Sequence, residues 1–570
     1  MTKRVLCLVL ALLTSLALLS AAPSSARLLP PKGRAPVDYS KQKGLSQPRY
    51  KTVRETALVE MKDGINLYVE VVRPKGPGRF GTILELSPYH GTLADRSGTR
   101  ILPGHPEGMA GYFAPRGYAV VFADLRGTGR SEGCLDHMGP NDQSDAYEIV
   151  EWAAKQKWSN GRVGMTGHSY VGSTPQMAAA QNPPHLKTIV PSAGLAAMYH
   201  HEFQDGVPYN LQWAGPLFAY EQLAIERHLP GGDNELGNME YFGCGATQSA
   251  AVTGEAYFSG AETDWHRERD FRKGATKSKI PMFVVHGVND NAARIAALDW
   301  FHARGGRPTD KAWIGQWDHG SGCCPNDRTC AITALPCEDD EWTTALHAWF
   351  DKHLLGRDAD TGPAAEVFLN DGSIFTAQQW PPPVDRRLTL HPRGDGTLGP
   401  RPDDESSVSY VADPRGFENE FDTGNVAWTS GKMKKDTLLI GIPKMKLVTS
   451  VVGGRVHINA TLYDVAPNDE VDRISRAGFA IQPELRDGWD QPAPVIPAER
   501  MTIDLEGMAQ AHLLEKGHRL MLMVASSHPD KVPTFAQVAQ VTVYTGGTDG
   551  TTVTLPVIYN PRLYEDHLQK

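Results

Sequence analysis

The sequence predicts an α/β core carrying an inserted helical cap, followed by an all-β domain. Three observations carry this reading. Short apolar runs alternate with helical stripes between about residues 57 and 355, and the rhythm breaks between about 195 and 278. Past about residue 357 it gives way to short alternating segments separated by Gly, Pro and Asp turns. At 570 residues the chain exceeds one ordinary core, because domains usually hold about 100 to 200 residues. Two or three domains are therefore expected.

The N-terminus sets the expected compartment. Met1-Thr2-Lys3-Arg4 precedes an apolar stretch over residues 5–19 and then Ser24-Ser25-Ala26, the basic, apolar and small-residue order of a secretory signal. Residues 1–26 are read as that signal, with the mature chain starting near Arg27 and exported. An uncleaved anchor would need roughly 20 apolar residues, more than this stretch provides, and no other segment is long and apolar enough to span a membrane. Residues 27–50, rich in Pro, Ser, Lys and Arg without an apolar period, read as an extended leader. The net charge of −9 is spread without long runs of one sign, and no basic stripe with interleaved aromatics appears, so nucleic acid is not an expected partner.

The core is expected over residues 51–356. Residues 57–61 and 65–72 flank Lys62-Asp63-Gly64, a hairpin signal. The apolar runs 82–86 and 118–123 suit buried strands of a mainly parallel sheet. Residues 142–156 place Ala146, Ile149, Val150 and Ala153 on one helical stripe with Asn141 as a candidate cap. Strand signals recur at 163–166, 188–190, 281–285 and 311–317, with helical sequence at 292–303 between the last two. Residues 341–355 close the region as an amphipathic helix whose Trp342, Ala345, Leu346, Trp349 and Phe350 share a face and read as core. The interruption at 195–278 reads as a cap over the ligand-binding edge of the sheet. Residues 363–565, with alternating segments at 386–390, 455–462 and 519–524, read as a β jelly-roll domain.

Chemistry concentrates at the strand ends. Gly167-His168-Ser169-Tyr170-Val171-Gly172 follows the 163–166 strand directly, as a nucleophile on a strand-to-helix elbow would. Such a turn needs small residues on both sides, which Gly167 and Gly172 supply, although Val171 stands where the strict G-x-S-x-G pattern has its second Gly. A Ser hydroxyl is a weak nucleophile and requires a base oriented by a carboxylate, in the chain order Ser, acid, His for this sheet type. Asp290, in Asn289-Asp290 after the 281–285 strand, and His319, in Asp318-His319 after the next strand, supply that order. Alone, Asp290 reads equally as a helix cap and His319 as a loop residue; together with Ser169 they read as a triad. Among competitors, His168 is expected to point away across the elbow, His286 lies before the acid, and His347 and His353 belong to the amphipathic helix. Asp318 is too close in sequence to orient the neighbouring ring. The oxyanion donors are expected to be the backbone N–H of Tyr170 and, less specifically, Tyr89 in Ser87-Pro88-Tyr89, which by spacing alone reads as a packed aromatic.

Cys7 leaves with the signal, and six cysteines remain: Cys134, Cys244, Cys323, Cys324, Cys330 and Cys337. An even number in an exported chain predicts three disulfides, whose pairing the sequence leaves open. A metal cluster over 323–337 is disfavoured by the lack of a C-x-x-C pair. The cysteines just after His319 are expected to brace its loop, and neither metal nor cofactor is expected.

The motifs Ser87-Pro88-Tyr89, Asp124-Leu125-Arg126-Gly127-Thr128-Gly129-Arg130-Ser131-Glu132-Gly133, Gly167-His168-Ser169-Tyr170-Val171-Gly172, Asn289-Asp290, Asp318-His319 and Lys516-Gly517-His518-Arg519-Leu520 together resemble the X-Pro dipeptidyl-peptidase and cocaine-esterase family. The resemblance runs from about residue 50 to the C-terminus. It implies an α/β-hydrolase core with Ser169 as nucleophile, His319 as base and Asp290 as orienting acid, promotes the Tyr89 hydroxyl to oxyanion donor, and makes the 126–129 loop structural. The longer dipeptidyl-peptidases of the family carry an N-terminal helical domain for which residues ahead of 50 leave no room. Members acting on free α-amines present acidic groups, for which Glu202, Asp205, Glu221 and Glu226 are candidates. The expected activity is peptide hydrolysis through an acyl-enzyme on an X-Pro substrate. The alternatives are a carboxylesterase or α-amino-acid ester hydrolase acting on a small ester, and a catalytically silent glycan-binding protein.

Overall fold

Apolar runs without a polar break make strands that are buried on both faces, the condition of a parallel sheet covered by helices. β1 (Thr52–Glu60) and β2 (Asn66–Pro74) form the hairpin expected around Lys62-Asp63-Gly64. β3 (Phe80–Ser87) and β4 (Tyr118–Asp124) are buried at every position, and with β5 (Ser159–His168) and β6 (Leu186–Ser192) they pair in parallel in the order β4-β3-β5-β6. A small hairpin of β7 (Phe203–Gln204) and β8 (Val207–Pro208) follows. β9 (Phe283–Gly287) and β10 (Lys311–Gly315) then extend the parallel sheet. The computed structural model describes residues 36, 42–90, 108–209, 244, 259–290, 292, 294–319, 341–416, 421, 424–474, 478–532 and 536–565. The expected signal, most of the leader, most of the cap, Glu221, Glu226, and Cys323, Cys324, Cys330 and Cys337 lie outside the described residues. Among the described residues no helix is long and apolar enough to cross a membrane.

The helices that cover the sheet are α1 (Gly108–Phe113), α2 (Pro140–Lys155), α3 (Tyr170–Gln181), α4 (Met198–Glu202), α5 (Asp264–Glu268), α6 (Arg272–Lys277), α7 (Arg294–Ala303) and α8 (Glu341–Leu354). α2 is capped by Gly139 and not by Asn141, which lies inside the helix. Pro140 takes the first helical position, where a missing N–H costs nothing and its fixed φ is already helical. The α8 residues Trp342, Leu346, Trp349 and Phe350 pack with Phe283 and Trp313 under the sheet, and Trp349 Nε1 donates to Thr188 Oγ1 at 2.7 Å. They are core, as their spacing predicts. A disulfide joins Cys134 to Cys244, closing 110 residues that include the elbow strand and the start of the cap.

The first sheet does not end where the composition changes. β11 (Ala365–Phe368) pairs in parallel with β10, β12 (Ser373–Ala377) pairs with β11, and the terminal strand Leu563–Glu565 pairs with β12. The sheet thus holds eleven strands and includes both ends of the segment expected to be wholly a β domain. A buried charge pair spans this junction: Lys311 is buried and pairs with Glu366 of β11 at 2.6 Å, and its ammonium also donates to the Pro363 carbonyl. Between these strands, the described residues of 386–559 form two mainly antiparallel layers, with one parallel pairing of Thr397–Gly399 beside Asn425–Ser430, and the layers share one core, with Leu447, Val541, Val543 and Leu555 from one against Trp428, Leu462, Leu522 and Val524 from the other. Leu438, Ile440, Ala511 and Leu513 of this β region pack onto Trp380 and the first sheet's core.

Removing one member of the Lys311–Glu366 pair leaves a buried charge without its counter-ion. Glu366→Gln is expected to lower unfolding stability by about 3–5 kcal/mol, whereas Lys311→Met with Glu366→Leu together stays near the parent. Urea unfolding followed by tryptophan fluorescence checks both; equal losses in the single and double variants would contradict the pairing.

Candidate active site

Ser169 is the residue at which β5 turns into α3, and its backbone lies at φ 63°, ψ −129°, a conformation rare for a residue with a Cβ. Three glycines make room for it. A Cβ at Gly167 would collide with the Val171 carbonyl, one at Gly172 with the Ser192 carbonyl of β6, and one at Gly194 with the backbone of Gly172. This explains why Gly172, one position beyond the usual place, serves the elbow: it is where α3 meets β6. The Ser169 N–H donates to Ser192 O at 3.0 Å, and the Ser169 carbonyl accepts from Gly172 and Ser173.

Ser169 Oγ lies 2.7 Å from His319 Nε2, and His319 Nδ1 lies 3.0 Å from both Oδ1 and Oδ2 of Asp290. The three residues that the sequence singles out are brought together in one hydrogen-bonded chain. Asp290 is fully buried and His319 is one-fifth exposed, so the carboxylate is shielded from solvent while the imidazole is reached by it. Asp290 also accepts from the N–H of Ala292, the capping bond its bland reading anticipates. The loops bearing acid and base are packed together. Asn289 Nδ2 donates to Gln316 O, a Cβ at Gly287 or Gly315 would collide with Trp317, and Gln316 Nε2 donates to the carbonyls of Phe368 and Ala511. The β region therefore braces the segment leading to His319, a contact that no local sequence pattern announces.

The flanking histidines differ from expectation in one case. His168 does not point away: its Nε2 donates to the His319 carbonyl at 2.9 Å and its Nδ1 accepts from Ser192 Oγ at 3.2 Å. The turn swings the side chain beneath the His319 loop, because Ser192 on β6 and His319 beyond β10 end at the same edge. Burial, reinforced by His319, lowers the His168 pKa to about 4. His286 sits 3.8 Å from Asp290 Oδ2, and burial lowers its pKa to about 4 as well. Both are neutral at pH 7, so the Asp290 charge is directed at His319.

Tyr89 OH lies 3.4 Å from Ser169 Oγ, and Tyr89 N–H is held by Ser87 Oγ at 3.0 Å. Tyr170, the first residue of α3, turns its side chain into the core, where its hydroxyl donates to Asp142 at 2.8 Å and accepts from Met138 N–H. Only its backbone faces the nucleophile's end of the helix. Burial, with Asp136 nearby, raises the Asp142 pKa to about 7. The 126–129 loop is structural in its contacts: Arg126 forms a two-pronged bond to Asp145 and a further one to Asp63. Of the acidic cap candidates, Glu202 is buried against His266 at 3.2 Å, and Asp205 accepts from Trp489 Nε1 at 2.6 Å. Burial raises the Asp205 pKa to about 6. Glu202 is buried, whereas Asp205 is partly exposed.

Comparison with known proteins follows this geometry. Residues 63–321 match the family model described as X-Pro dipeptidyl-peptidase (S15 family), and residues 358–561 match the X-Pro dipeptidyl-peptidase C-terminal non-catalytic domain. A Streptomyces avermitilis protein provisionally named Xaa-Pro dipeptidyl-peptidase is 28% identical over 81% of this chain and 77% of its own length. A cocaine esterase from a Rhodococcus strain is 25% identical over 84% of this chain and 91% of that protein. Among solved structures, an α-amino acid ester hydrolase superposes with a TM-score of 0.72 at 20% identity, covering 90% of this chain and 98% of that one, a likeness of fold.

Inserting a methyl group into a tight contact costs about 1–3 kcal/mol. Gly172→Ala is expected to lose that much stability in urea unfolding, while Gly431→Ala, whose Cβ would meet nothing within 4 Å, changes it little. Equal effects at the two sites would contradict the close approach of α3 to β6.

Proposed function

Because the chain belongs to the X-Pro dipeptidyl-peptidase and cocaine-esterase family of serine α/β-hydrolases, we propose that it is an exported serine hydrolase that releases X-Pro dipeptides through an acyl-enzyme. The observation that carries this reading is the unbroken chain from Ser169 Oγ through His319 to Asp290. Ser169 Oγ attacks the scissile carbonyl as His319 Nε2 takes its proton. The imidazolium so formed is stabilised by Asp290, which stays ionised. The negative oxygen of the tetrahedral intermediate is received by the Tyr170 N–H and the Tyr89 hydroxyl, each such donor contributing about 3–4 kcal/mol to the transition state. His319 then protonates the leaving amine, and water repeats the sequence on the acyl-Ser169 ester.

Residues 51–356 in this reading supply the catalytic unit, 195–278 its cap and 363–565 the β domain. Export is supported by the N-terminal signal pattern together with the Cys134–Cys244 disulfide, a bond characteristic of oxidising compartments. An ester substrate is the second reading. It is favoured by the bonds from His266 to Glu202 and from Trp489 to Asp205, which engage one oxygen of each of two candidate ammonium acceptors. A silent glycan-binding role has no comparable support.

The rates of p-nitroaniline release from Ala-Pro and Gly-Pro anilides, beside p-nitrophenyl butyrate, decide between the first two. The expected outcome is dipeptide release that falls by about 10⁶ in Ser169→Ala and by about 10⁴ in Asp290→Asn. Cleavage of the ester alone would replace the peptidase reading with the esterase one. Full activity in Ser169→Ala would overturn both.

A further inference from the structure

A second buried charged cluster lies beside the oxyanion side of the site. His90 follows Tyr89 directly and is 1% exposed. Its Nε2 lies 3.0 Å from Glu85 Oε1 of β3, and its Nδ1 lies 3.0 Å from Asp124 Oδ1 at the end of β4. Asp124 in turn accepts from the N–H and Nε of Arg130 at 2.9 and 3.1 Å, and the Arg130 guanidinium lies over the Tyr68 ring. The Phe122 ring meets the His90 ring edge to face. Both imidazole nitrogens thus face carboxylate oxygens, and only the doubly protonated ring can donate to both. Two strands hold one residue, and that residue is bonded in sequence to the one whose hydroxyl lies beside Ser169 Oγ.

The proposed triad does not use this cluster. Resting on the assignment of Tyr89 as oxyanion donor, we infer that His90 is a positioning residue for the oxyanion hole, its imidazolium clamped between Glu85 and Asp124 so that the Tyr89 hydroxyl is fixed over the reacting carbonyl. The Tyr89 backbone is then pinned from both sides, by Ser87 Oγ on its own N–H and by the His90 clamp on the next residue. Burial alone would lower the His90 pKa, but its bonds to Asp124 and Glu85 outweigh this and raise it to about 9. The charged groups facing His90 among the described residues are Glu85 and Asp124, with Arg130 behind Asp124. The sign is fixed by this direction. The clamp is complete at neutral pH and is lost as pH rises through about 9, when the neutral ring keeps one donor and turns a lone pair toward the other carboxylate.

The test is a double-mutant cycle on kcat for whichever of the anilide or ester substrates the enzyme turns over. Tyr89→Phe is expected to lower kcat by about 10²–10³. His90→Gln is expected to lower kcat by up to about 10² through misplacement of the hydroxyl, with KM changed less than about twofold. The pair His90→Gln with Tyr89→Phe should be no slower than Tyr89→Phe alone, because His90 acts only through Tyr89. The parent kcat should fall above about pH 9, and that limb should be missing from Tyr89→Phe. Should His90→Gln fail to fold, Glu85→Gln keeps an acceptor for Nε2 while removing a charge, and should move the alkaline limb to lower pH. Parent-like kcat in His90→Gln, additive losses in the pair, or an unmoved limb in Glu85→Gln would overturn the clamp. Parent-like kcat in Tyr89→Phe would instead overturn the Tyr89 assignment.

Discussion

The structure depends on the contact between α3 and β6 at the elbow. Ser169 occupies a backbone conformation that costs on the order of 1–3 kcal/mol and persists only where its surroundings over-determine it. Here they do. The Ser169 N–H is bound by Ser192 O, its carbonyl takes the first bonds of α3, and Gly172 and Gly194 let the helix approach the strand end to a distance that any Cβ would block. The strain is therefore held by β5, α3 and β6, elements whose own stability comes from the buried sheet.

Charge at this edge of the sheet is sorted by the partners that each buried imidazole finds. His168 bonds to a carbonyl and a hydroxyl, His286 lies 3.8 Å from its nearest carboxylate oxygen, and both are held neutral by burial. His90 meets two carboxylates at bonding distance and is held charged. A protonated His286 would compete with His319 for Asp290, and a neutral His90 would turn a lone pair toward one of its two carboxylates. The same residue type thus serves as neutral packing on one side of Ser169 and as a cation on the other, and the first arrangement keeps His286 from competing with His319 for Asp290.

Much of this was legible in the sequence, because the features concerned are local. The 82–86, 118–123 and 281–285 runs predict buried strands, and the Ser, acid, His order predicts which three loops meet, since the strands before them end at one edge. Other features needed the fold. β11 and β12 follow the compositional change yet extend the first sheet, and the Lys311–Glu366 pair at the β10–β11 junction joins residues 55 apart in sequence. The role of His168 depends on a carbonyl 151 residues away, and the brace on Gln316 on one 195 away. The shift of the α2 cap to Gly139 was readable in principle, since Pro140 marks the first helical position. Asp124 lies within a motif that carried the family resemblance, whereas Glu85 and His90 flank Ser87-Pro88-Tyr89 outside it, and nothing in their order reveals that two strand ends close on one ring.

The proposed chemistry makes Ser169 an activated nucleophile held by His319 and Asp290. The most direct measurement is mass spectrometry of the intact protein and its peptides after treatment with a serine-directed phosphonate at neutral pH. One adduct is expected, on the peptide bearing Ser169, formed in the parent and absent from Ser169→Ala. No adduct on the folded parent, or an adduct that persists in Ser169→Ala, would contradict it.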